Sequence, residues 1–354
     1  MRITALLTST LCLLALTTAA QTTHHSGPWE LEDSNTTAGL RGIHAVAGGV
    51  VWASGTNGTV LRSEDTGYLW QQCTTPPGAS KLDFRGIWAW DAQHVLVLSS
   101  GPGDQSRLYR TNDGCNIWTP LFTNPDTAGF WDGLFFLDQQ NGVIYGDPSR
   151  SGTRSSTVFG LFETYDRGNT WIRQPDLQPL PGESAFAASN SAMTTQDGWI
   201  WLGTSKARVL RAKGLSAWQS AQTPLASGTD SSGVFSLAFR DQKHGIAVGG
   251  DYRKPEETTG TAAYTSDGGE HWSAPRKLPH GFRSAVAWDA TNRAWITVGT
   301  NGSDISYDDG QTWQWLDSGN WNALSLPWAV GPHGQIGKLG LLPSHSSAGA
   351  RGSR

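Results

Sequence analysis

The sequence predicts an all-β fold, a seven-bladed β-propeller closed by an N-terminal strand. An octet of the form TSDGGEHW recurs, and its closing tryptophans lie 41 to 54 residues apart. A short apolar run that ends in small residues precedes each octet. The chain of 354 residues has 43 glycines and 18 tryptophans but only 16% charged residues, a composition typical of many short strands and turns.

The octet occurs five times with a central aspartate. These copies are SEDTGYLW (63–70), TNDGCNIW (111–118), TYDRGNTW (164–171), TSDGGEHW (265–272) and SYDDGQTW (306–313). A sixth copy, RAKGLSAW (211–218), has lost the acid. Because a spacing of 40 to 50 residues is typical of propeller blades, the copies indicate one blade each.

The residue types of the octet indicate a structural turn. The Asp side chain can accept hydrogen bonds from N–H groups of its own hairpin. Gly supplies a positive φ that other residues resist, and Trp can fill the gap between neighbouring blades. We therefore assign no catalytic role to these aspartates.

Two further strand-like runs complete each repeat. The second-strand runs are VVWASG, VLVLSSG, GVIYGD, WIWLGT, GIAVGG, AWITVG and PWAVG, and the first-strand runs are GIHAV, GIWAW, GLFFL, AFAAS, FSLAF, SAVAW and NALSL. The seventh unit has no octet, and Trp29–Glu32 offers the missing strand, which would close the ring and protect two sheet edges. An open β-solenoid is the alternative architecture, but its repeats are usually shorter.

The octets resemble Asp-boxes, also called BNR repeats, of sialidase-like propellers. The count of seven units and the N-terminal segment resemble the photosystem II stability/assembly factor-like family over about residues 28–342. Two hairpins depart from the box pattern, since Cys115 replaces a Gly and the sixth copy lacks the acid. The resemblance implies that boxes occupy one face and that loops around the first strands form the opposite face.

Candidate ligand-binding residues lie on this implied opposite face. The loops 146–158 and 249–261 are longer than their counterparts, as is typical of binding loops. The charged and aromatic residues expected around the channel mouth are Arg41, Arg85, Trp131, Asp132, Asp147, Arg150, Glu183, Asp251, Tyr252, Arg253 and Arg283. Arginines suit carboxylate or phosphate groups, and the aromatic rings suit a sugar or a peptide side chain. The alternative is ordinary solvated loop surface.

Two functions are compatible with these residues. The first is a scaffold that binds a protein or small-molecule ligand at the channel mouth, without enzymatic activity. The second is a sialidase-like glycoside hydrolase, which needs two carboxylates, and Asp132, Asp147, Glu183 and Asp251 are available. The sequence has no Arg-Ile-Pro motif and no assignable Tyr-Glu pair, so we favour the scaffold.

The pattern predicts neither a cofactor nor a metal site. No GxGxxG motif opens a βαβ unit, and no Cys/His cluster has ligand spacing. The formal net charge of −4 gives no reason to expect nucleic acid.

Residues 1–20 have the pattern of a secretory signal, with a basic residue, an apolar run and small residues near Ala20. We therefore expect an exported protein, periplasmic or secreted, with no transmembrane segment after signal cleavage. The expected domains are the signal (1–20), the propeller (28–342) and a disordered tail (343–354). An oxidising compartment permits a disulfide between Cys73 and Cys115, although two buried free thiols are the alternative.

Overall fold

The computed structural model describes residues 27–150, 156–174 and 177–343 as an almost entirely β structure. Seven antiparallel sheets are arranged around a central channel, which confirms the predicted propeller. Two 3-10 turns, Ala47–Gly49 and Gly103–Gln105, are the only helical segments within the described ranges. The predicted signal (1–20) and all of the predicted tail except Pro343 lie outside the described residues.

The first strand, β1 (Trp29–Glu32), belongs to the last sheet, and blades 1 to 3 follow it along the chain. Blade 1 contains β2 (Leu40–Ala45), β3 (Val51–Gly55), β4 (Val60–Ser63) and β5 (Gln71–Gln72). Blade 2 contains β6 (Phe84–Ala89), β7 (Val95–Ser99), β8 (Arg107–Thr111) and β9 (Thr119–Thr123). Blade 3 contains β10 (Trp131–Phe136), β11 (Gly142–Ser149), β12 (Val158–Thr164) and β13 (Ile172–Arg173).

Blades 4 to 6 continue the same up-and-down order. Blade 4 contains β14 (Met193–Gln196), β15 (Trp199–Gly203), β16 (Arg208–Lys213) and β17 (Ser216–Gln222). Blade 5 has three strands, β18 (Ser232–Phe239), β19 (Gly245–Asp251) and β20 (Ala262–Thr265). Blade 6 contains β21 (Ala285–Asp289), β22 (Ala294–Gly299), β23 (Gly302–Ser306) and β24 (Gln314–Asp317).

Blade 7 joins the two ends of the described chain and closes the ring. It contains β25 (Ala323–Ser325), β26 (Trp328–Val330) and β27 (Ile336–Leu339), and β1 pairs antiparallel with β27, with Trp29 opposite Leu339. The amide of Leu40 in blade 1 donates to the carbonyl of Gly331 at 3.0 Å, beside blade 7. The predicted closure by an N-terminal strand is thereby confirmed.

The aspartate hairpins have the hydrogen bonds expected from the sequence. In TSDGGEHW, Asp267 Oδ1 accepts the amides of Glu270 and His271 at 3.0 Å each, and Thr265 Oγ1 donates to it at 2.8 Å. The same local pattern recurs around Asp65, Asp113, Asp166 and Asp308. These aspartates therefore hold their own turns.

The two departures from the octet pattern have different consequences. Cys115 adopts φ 71° and its amide still donates to Thr111 Oγ1 at 3.1 Å, so this hairpin keeps the common geometry despite losing its Gly. In the copy without the acid, β16 and β17 pair directly up to Lys213 and Ser216, which leaves a tight two-residue turn.

The octet tryptophans lie between neighbouring blades, as expected. Trp70 of blade 1 packs with Trp328 of blade 7 at 5.7 Å between ring centroids, and Trp118 of blade 2 belongs to a core cluster that includes Trp52 of blade 1. Trp313 of blade 6 is fully buried in a cluster with Ile246 of blade 5. Each of these rings removes a large apolar area from water at a blade interface.

Cys73 and Cys115 form a disulfide, with their Cα atoms 5.4 Å apart. Cys73 follows the outer strand of blade 1, and Cys115 lies in the aspartate hairpin of blade 2. The bond therefore links two adjacent blades near the outside of the ring.

The run AFAAS was predicted as the first strand of blade 4, and this prediction was wrong. The first strand is β14 (Met193–Gln196), and residues 184–191 instead form an irregular plug segment inside the channel. Asn190 holds it there, since its side chain accepts the amide of Leu134 at 2.7 Å and donates to the Leu134 carbonyl at 2.8 Å. Ser189 Oγ donates to the Ser284 carbonyl at 2.7 Å.

The alternation of apolar residues could not reveal the plug, because AFAAS is as apolar as a strand. Asn190 and Ser189 bond to backbone groups of other blades. The side chains of Asp147 and Arg85 bond to the plug backbone, in place of a sheet ladder. The plug segment shapes the inner wall of the candidate site.

Candidate functional site

A cavity of about 520 Å³ opens at the end of the channel where the first strands begin. In six blades, one residue within or just before the innermost strand contributes to its wall: Arg41, Arg85, Asp132, Phe235, Ser284 and Asn322. Because the aspartate hairpins follow the third strands, they lie at the opposite end of each blade. The cavity therefore occupies the face predicted to carry the ligand.

A local backbone irregularity re-aims three of these side chains, those of Arg41, Arg85 and Asp132. The register of the first and second strands shifts between Leu40 and Gly42, and the same shift occurs around Arg85 and Asp132. A bulge leaves one residue outside the ladder and re-aims its side chain. The following residue must be small, since a Cβ on Gly42 would lie 2.9 Å from the Arg85 carbonyl oxygen.

Two arginines form the cationic side of the cavity. Arg85 Nε donates to Asp83 Oδ2 at 2.8 Å, and its Nη1 donates to the Ala187 carbonyl of the plug segment at 3.3 Å. The Nε of Arg41 is buried and has no hydrogen-bond partner among the described residues. Burial and the neighbouring positive charge of Arg85 lower the pKa of Arg41, so an anionic group here would relieve both effects.

Two carboxylates form the next sector. Asp132 is 2% exposed and Asp147 is half-buried, and both line the cavity. Asp147 Oδ1 accepts the amide of Ala185 at 2.9 Å, while Oδ2 of Asp132 accepts no hydrogen bond from any described residue. Burial raises the pKa of Asp147 to about 6. Burial and then the charge of Asp147 raise the pKa of Asp132 well above its usual value.

Aromatic rings form another part of the wall. Phe186 of the plug segment stacks on Phe235 with ring centroids 3.7 Å apart. Phe282 meets Phe235 edge to face at 4.8 Å, and Tyr252, which is 45% exposed, meets it at 6.1 Å. These rings give an apolar surface beside the charged sectors, an arrangement common in ligand pockets.

Arg283 and Trp131 were expected at the mouth, and the structure places both in the core. Arg283 is fully buried and its Nε donates to Asp304 Oδ2 at 2.8 Å, while Ser284 lines the cavity. Trp131 is 1% exposed and packs on Phe162, with centroids 5.7 Å apart. In the pairs Trp131-Asp132 and Arg283-Ser284 the second residue lines the cavity, so the sequence prediction for these two residues was one residue out of register.

Glu183 was also expected at the mouth, but its carboxylate is held within blade 4. Arg208 donates to both carboxylate oxygens, at 2.9 and 2.6 Å, and Thr204 Oγ1 donates to Oε1 at 2.6 Å. Burial alone would raise the pKa of Glu183, but these hydrogen bonds outweigh it and lower the pKa. Glu183 is therefore a structural anion and a poor proton donor.

The long loops place the remaining candidates around the cavity rather than in its wall. Arg253 lies next to Tyr252, with its guanidinium 5.7 Å from that ring, and pairs with Asp230 at 3.1 Å. Asp251 ends β19, accepts the amide of Arg253 at 3.0 Å and does not line the cavity. Arg150 is exposed at the start of the other long loop, and it is also outside the cavity wall.

Sequence reasoning missed several wall residues, although a signal for them was present. In six blades, the cavity-lining residue that lies within or just before the first strand is followed by a small residue. The six pairs are Arg41-Gly42, Arg85-Gly86, Asp132-Gly133, Phe235-Ser236, Ser284-Ala285 and Asn322-Ala323. Aligning the repeats on that small residue would have identified Phe235, Ser284 and Asn322.

Metal ligation has one geometric candidate among the described residues, formed by Asp267, Glu270 and His271. All three side chains are exposed, and the Asp267 carboxylate already accepts the hydrogen bonds of its hairpin. Glu270 also pairs with Arg211 at 2.7 Å. This group is explained by the turn and by surface pairing.

Within the described ranges, no helix has the length and apolar character needed to cross a membrane.

Comparison with solved structures identifies propellers of the same architecture. The chain is similar to YCF48 bound to D1 peptide, with a TM-score of 0.62 and 17% identity over 90% of this chain and 98% of that one. It is similar to YCF48 from Cyanidioschyzon merolae, with a TM-score of 0.60 and 16% identity over 88% and 99% of the two chains. The WD40 propeller domain of Doa1 matches with a TM-score of 0.55 and 12% identity over 88% and 96%.

No protein-family model matches the sequence, and no curated protein matches it. At identities of 12 to 17%, the structural similarities show the shared fold. By its structure, the chain is a seven-bladed β-propeller with the fold of the YCF48 structures.

Proposed function

We propose that the protein is an assembly scaffold that binds a segment of a client protein in the cavity at the channel mouth. The observation that carries the proposal is the convergence of Arg41, Arg85 and an aromatic wall on one cavity of about 520 Å³. Pockets of this size suit a few residues of a peptide. The arginine sector fits a carboxylate of the segment, and the rings fit an apolar side chain.

The similarity to YCF48 bound to D1 peptide supports a peptide as the ligand class, because that propeller holds a peptide. The client of this protein is not carried over, since the similarity is one of fold. The chemistry of the cavity sets the expectation: a segment with an acidic group next to an apolar residue.

A selection from a random peptide library tests the proposal. Peptides that contain Asp, Glu or a free carboxyl terminus beside an apolar residue are expected to be enriched on the wild type. The double variant Arg41→Ala, Arg85→Ala should lose this enrichment. Arg276→Ala is the matched control, because Arg276 is 73% exposed beside Asp308, in the hairpin region at the other end of the blades. Equal enrichment on all three proteins would contradict the proposal.

Glycoside hydrolysis is the second candidate, and the shared cavity of Asp132 and Asp147 favours it. A carboxyl with a raised pKa can act as a general acid beside an ionised partner. Turnover of aryl glycosides or sialosides that disappears in Asp132→Asn would support this activity. Absence of turnover across such a panel would leave the scaffold as the better account.

We also propose that the protein is exported, to the periplasm or beyond the cell. The signal-like pattern of residues 1–20 supports this, and the disulfide is chemically compatible with an oxidising compartment. Cell fractionation followed by mass spectrometry of the N-terminus tests it. A mature chain that begins after Ala20 is expected, and an intact N-terminus in the cytosol would contradict it.

A further inference from the structure

Asp132 differs from the other buried carboxylates in forming no salt bridge with any described residue. Four carboxylate residues are buried in the part of the chain that the structure describes: Asp126, Asp132, Glu183 and Asp304. Arginines pair with three of them, since Arg173 pairs with Asp126, Arg208 with Glu183 and Arg283 with Asp304. Buried carboxylates are normally paired in this way, so Asp132 has an incomplete environment.

Among the described residues nothing pairs with Asp132, and its side chain faces the cavity, where a ligand group can reach it. Burial and the charge of Asp147 raise the pKa of Asp132, and the charge of Arg85 opposes this increase by lowering it. The Arg85 guanidinium, however, donates its hydrogen bonds to Asp83 and to the Ala187 carbonyl. A ligand group can therefore supply what the fold does not.

Because Asp147 lies beside Asp132, we expect the ligand group to be a cation rather than a neutral hydrogen-bond donor. One hydroxyl or amide could satisfy Oδ2 of Asp132, but it would leave two neighbouring carboxylates that repel each other's charge. A single ammonium or guanidinium between them would stabilise both negative charges and donate several hydrogen bonds. The adjoining rings of Phe130 and Phe186 can pack along an alkyl stem.

We propose that Asp132 and Asp147 form a subsite for the lysine or arginine side chain of a bound peptide segment. The inference rests on the proposed function, because the same cavity would hold the segment. The bound segment then has two charged groups. Its carboxylate contacts Arg41 and Arg85, and its lysine or arginine side chain contacts Asp132 and Asp147. The aromatic wall contacts the apolar residue beside them.

The peptide selection separates this inference from the proposed function. At pH 8, peptides enriched on the wild type are expected to contain Lys or Arg. Selection on Asp132→Asn, Asp147→Asn should lose that preference and keep the preference for a carboxylate. Enriched peptides without any basic residue would overturn the subsite alone, whereas no enrichment on the wild type would overturn both proposals.

Calorimetry with one enriched peptide gives a second readout that needs no variant protein. Replacing its Lys with norleucine, which keeps the alkyl stem, should weaken binding by about tenfold or more. At pH 6, binding of the Lys peptide should release protons, because burial raises the pKa of Asp147 to about 6 and a bound cation lowers it again. Equal affinity for the two peptides would overturn the subsite.

Discussion

Arg283 and Asp304 form an ion pair in the interior of blade 6, where neither side chain is exposed to solvent. The Arg283 guanidinium also donates to the Asn301 side chain at 2.5 Å, and His280 contacts the second carboxylate oxygen of Asp304 at 2.6 Å. These contacts compensate for the loss of hydration of both charges. The pair therefore belongs to the packing of the propeller rather than to the ligand cavity.

Asp304→Asn should destabilise the protein strongly, because it leaves the Arg283 charge buried without its counter-ion. Loss of one partner of such a pair costs about 3–5 kcal/mol in the free energy of unfolding. Urea denaturation followed by tryptophan fluorescence measures it. Arg253→Ala is the control, since the Arg253–Asp230 pair is exposed and worth about 0–1 kcal/mol. If the two variants lowered the free energy of unfolding equally, the assignment of the Arg283–Asp304 pair to the core would be contradicted.

Asp267→Ala should lower the free energy of unfolding by about 1 kcal/mol at pH 7, as for loss of a capping residue. Burial alone would raise the pKa of Asp267, but hydrogen bonds from His271 and Thr265 outweigh it and lower the pKa to about 2. This stabilisation is present above the unfolded value near 3.8 and is lost as pH falls through about 2. Denaturation of wild type and variant at pH 7 and pH 2 measures the difference.

Ser266→Ala is the matched control for this hairpin, because Ser266 is exposed next to Asp267. It should leave the stability unchanged within the error of the denaturation curve. A destabilisation by Asp267→Ala that is equally large at both pH values would show that the ionised carboxylate is not the stabilising group.

Asp147→Asn should stabilise the ligand-free protein at alkaline pH. The pKa of Asp147 is raised to about 6 in the folded state, so the fold retains a proton that the unfolded chain releases near pH 3.8. Stability therefore falls as pH rises between these values, by up to about 3 kcal/mol. Melting temperatures at pH 8 should be higher for the variant than for the wild type, and at pH 3.5 they should be similar.

Asp251→Asn is the control, because it should change the melting temperature in the opposite direction. Burial would raise the pKa of Asp251, but hydrogen bonds from Ser231 and the Arg253 amide lower it, so this carboxylate favours the folded state when ionised. The substitution should reduce the melting temperature at pH 8. Stabilisation by both variants at pH 8 would indicate a general effect of net charge rather than the buried position of Asp147.

Removal of the disulfide should destabilise the propeller. The bond closes a loop with a sequence separation of 42, for which the chain-entropy estimate is about 4 kcal/mol. The double variant Cys73→Ser, Cys115→Ser should unfold at a lower urea concentration than the oxidised wild type. Alkylation of the denatured protein without a reductant should add no mass at these positions, whereas modification of both cysteines would show free thiols.

Much of the fold could be predicted from the sequence, because each blade repeats local chemistry. In the five octets that have an aspartate, its carboxylate accepts hydrogen bonds from amides of the same hairpin, so its role does not depend on distant residues. The strand Trp29–Glu32 was predictable because the seventh repeat had an unfilled position. Local interactions of this kind can be predicted from the sequence without knowledge of tertiary contacts.

The candidate site was only partly predictable, because the bulges and the plug segment depend on contacts between blades. Arg41, Arg85, Asp132, Asp147 and Tyr252 meet in one cavity, as the sequence analysis expected of residues around the mouth. Arg283 and Trp131 lie one position before the residues that face the channel, and a shift of one residue reverses the direction of a side chain in a strand. Glu183 was misplaced because the apolar run after it is the plug and not a strand.

Photo-crosslinking from the cavity tests the central claim most directly. A benzophenone amino acid at position 252 lies at the channel mouth, because Tyr252 is 45% exposed in the cavity wall. The same group at position 165 serves as the control, since Tyr165 is 56% exposed in an aspartate hairpin at the other end of blade 3. Library-selected peptides are expected to crosslink from position 252 and not from position 165. Crosslinking from position 165 alone would contradict binding at the channel mouth.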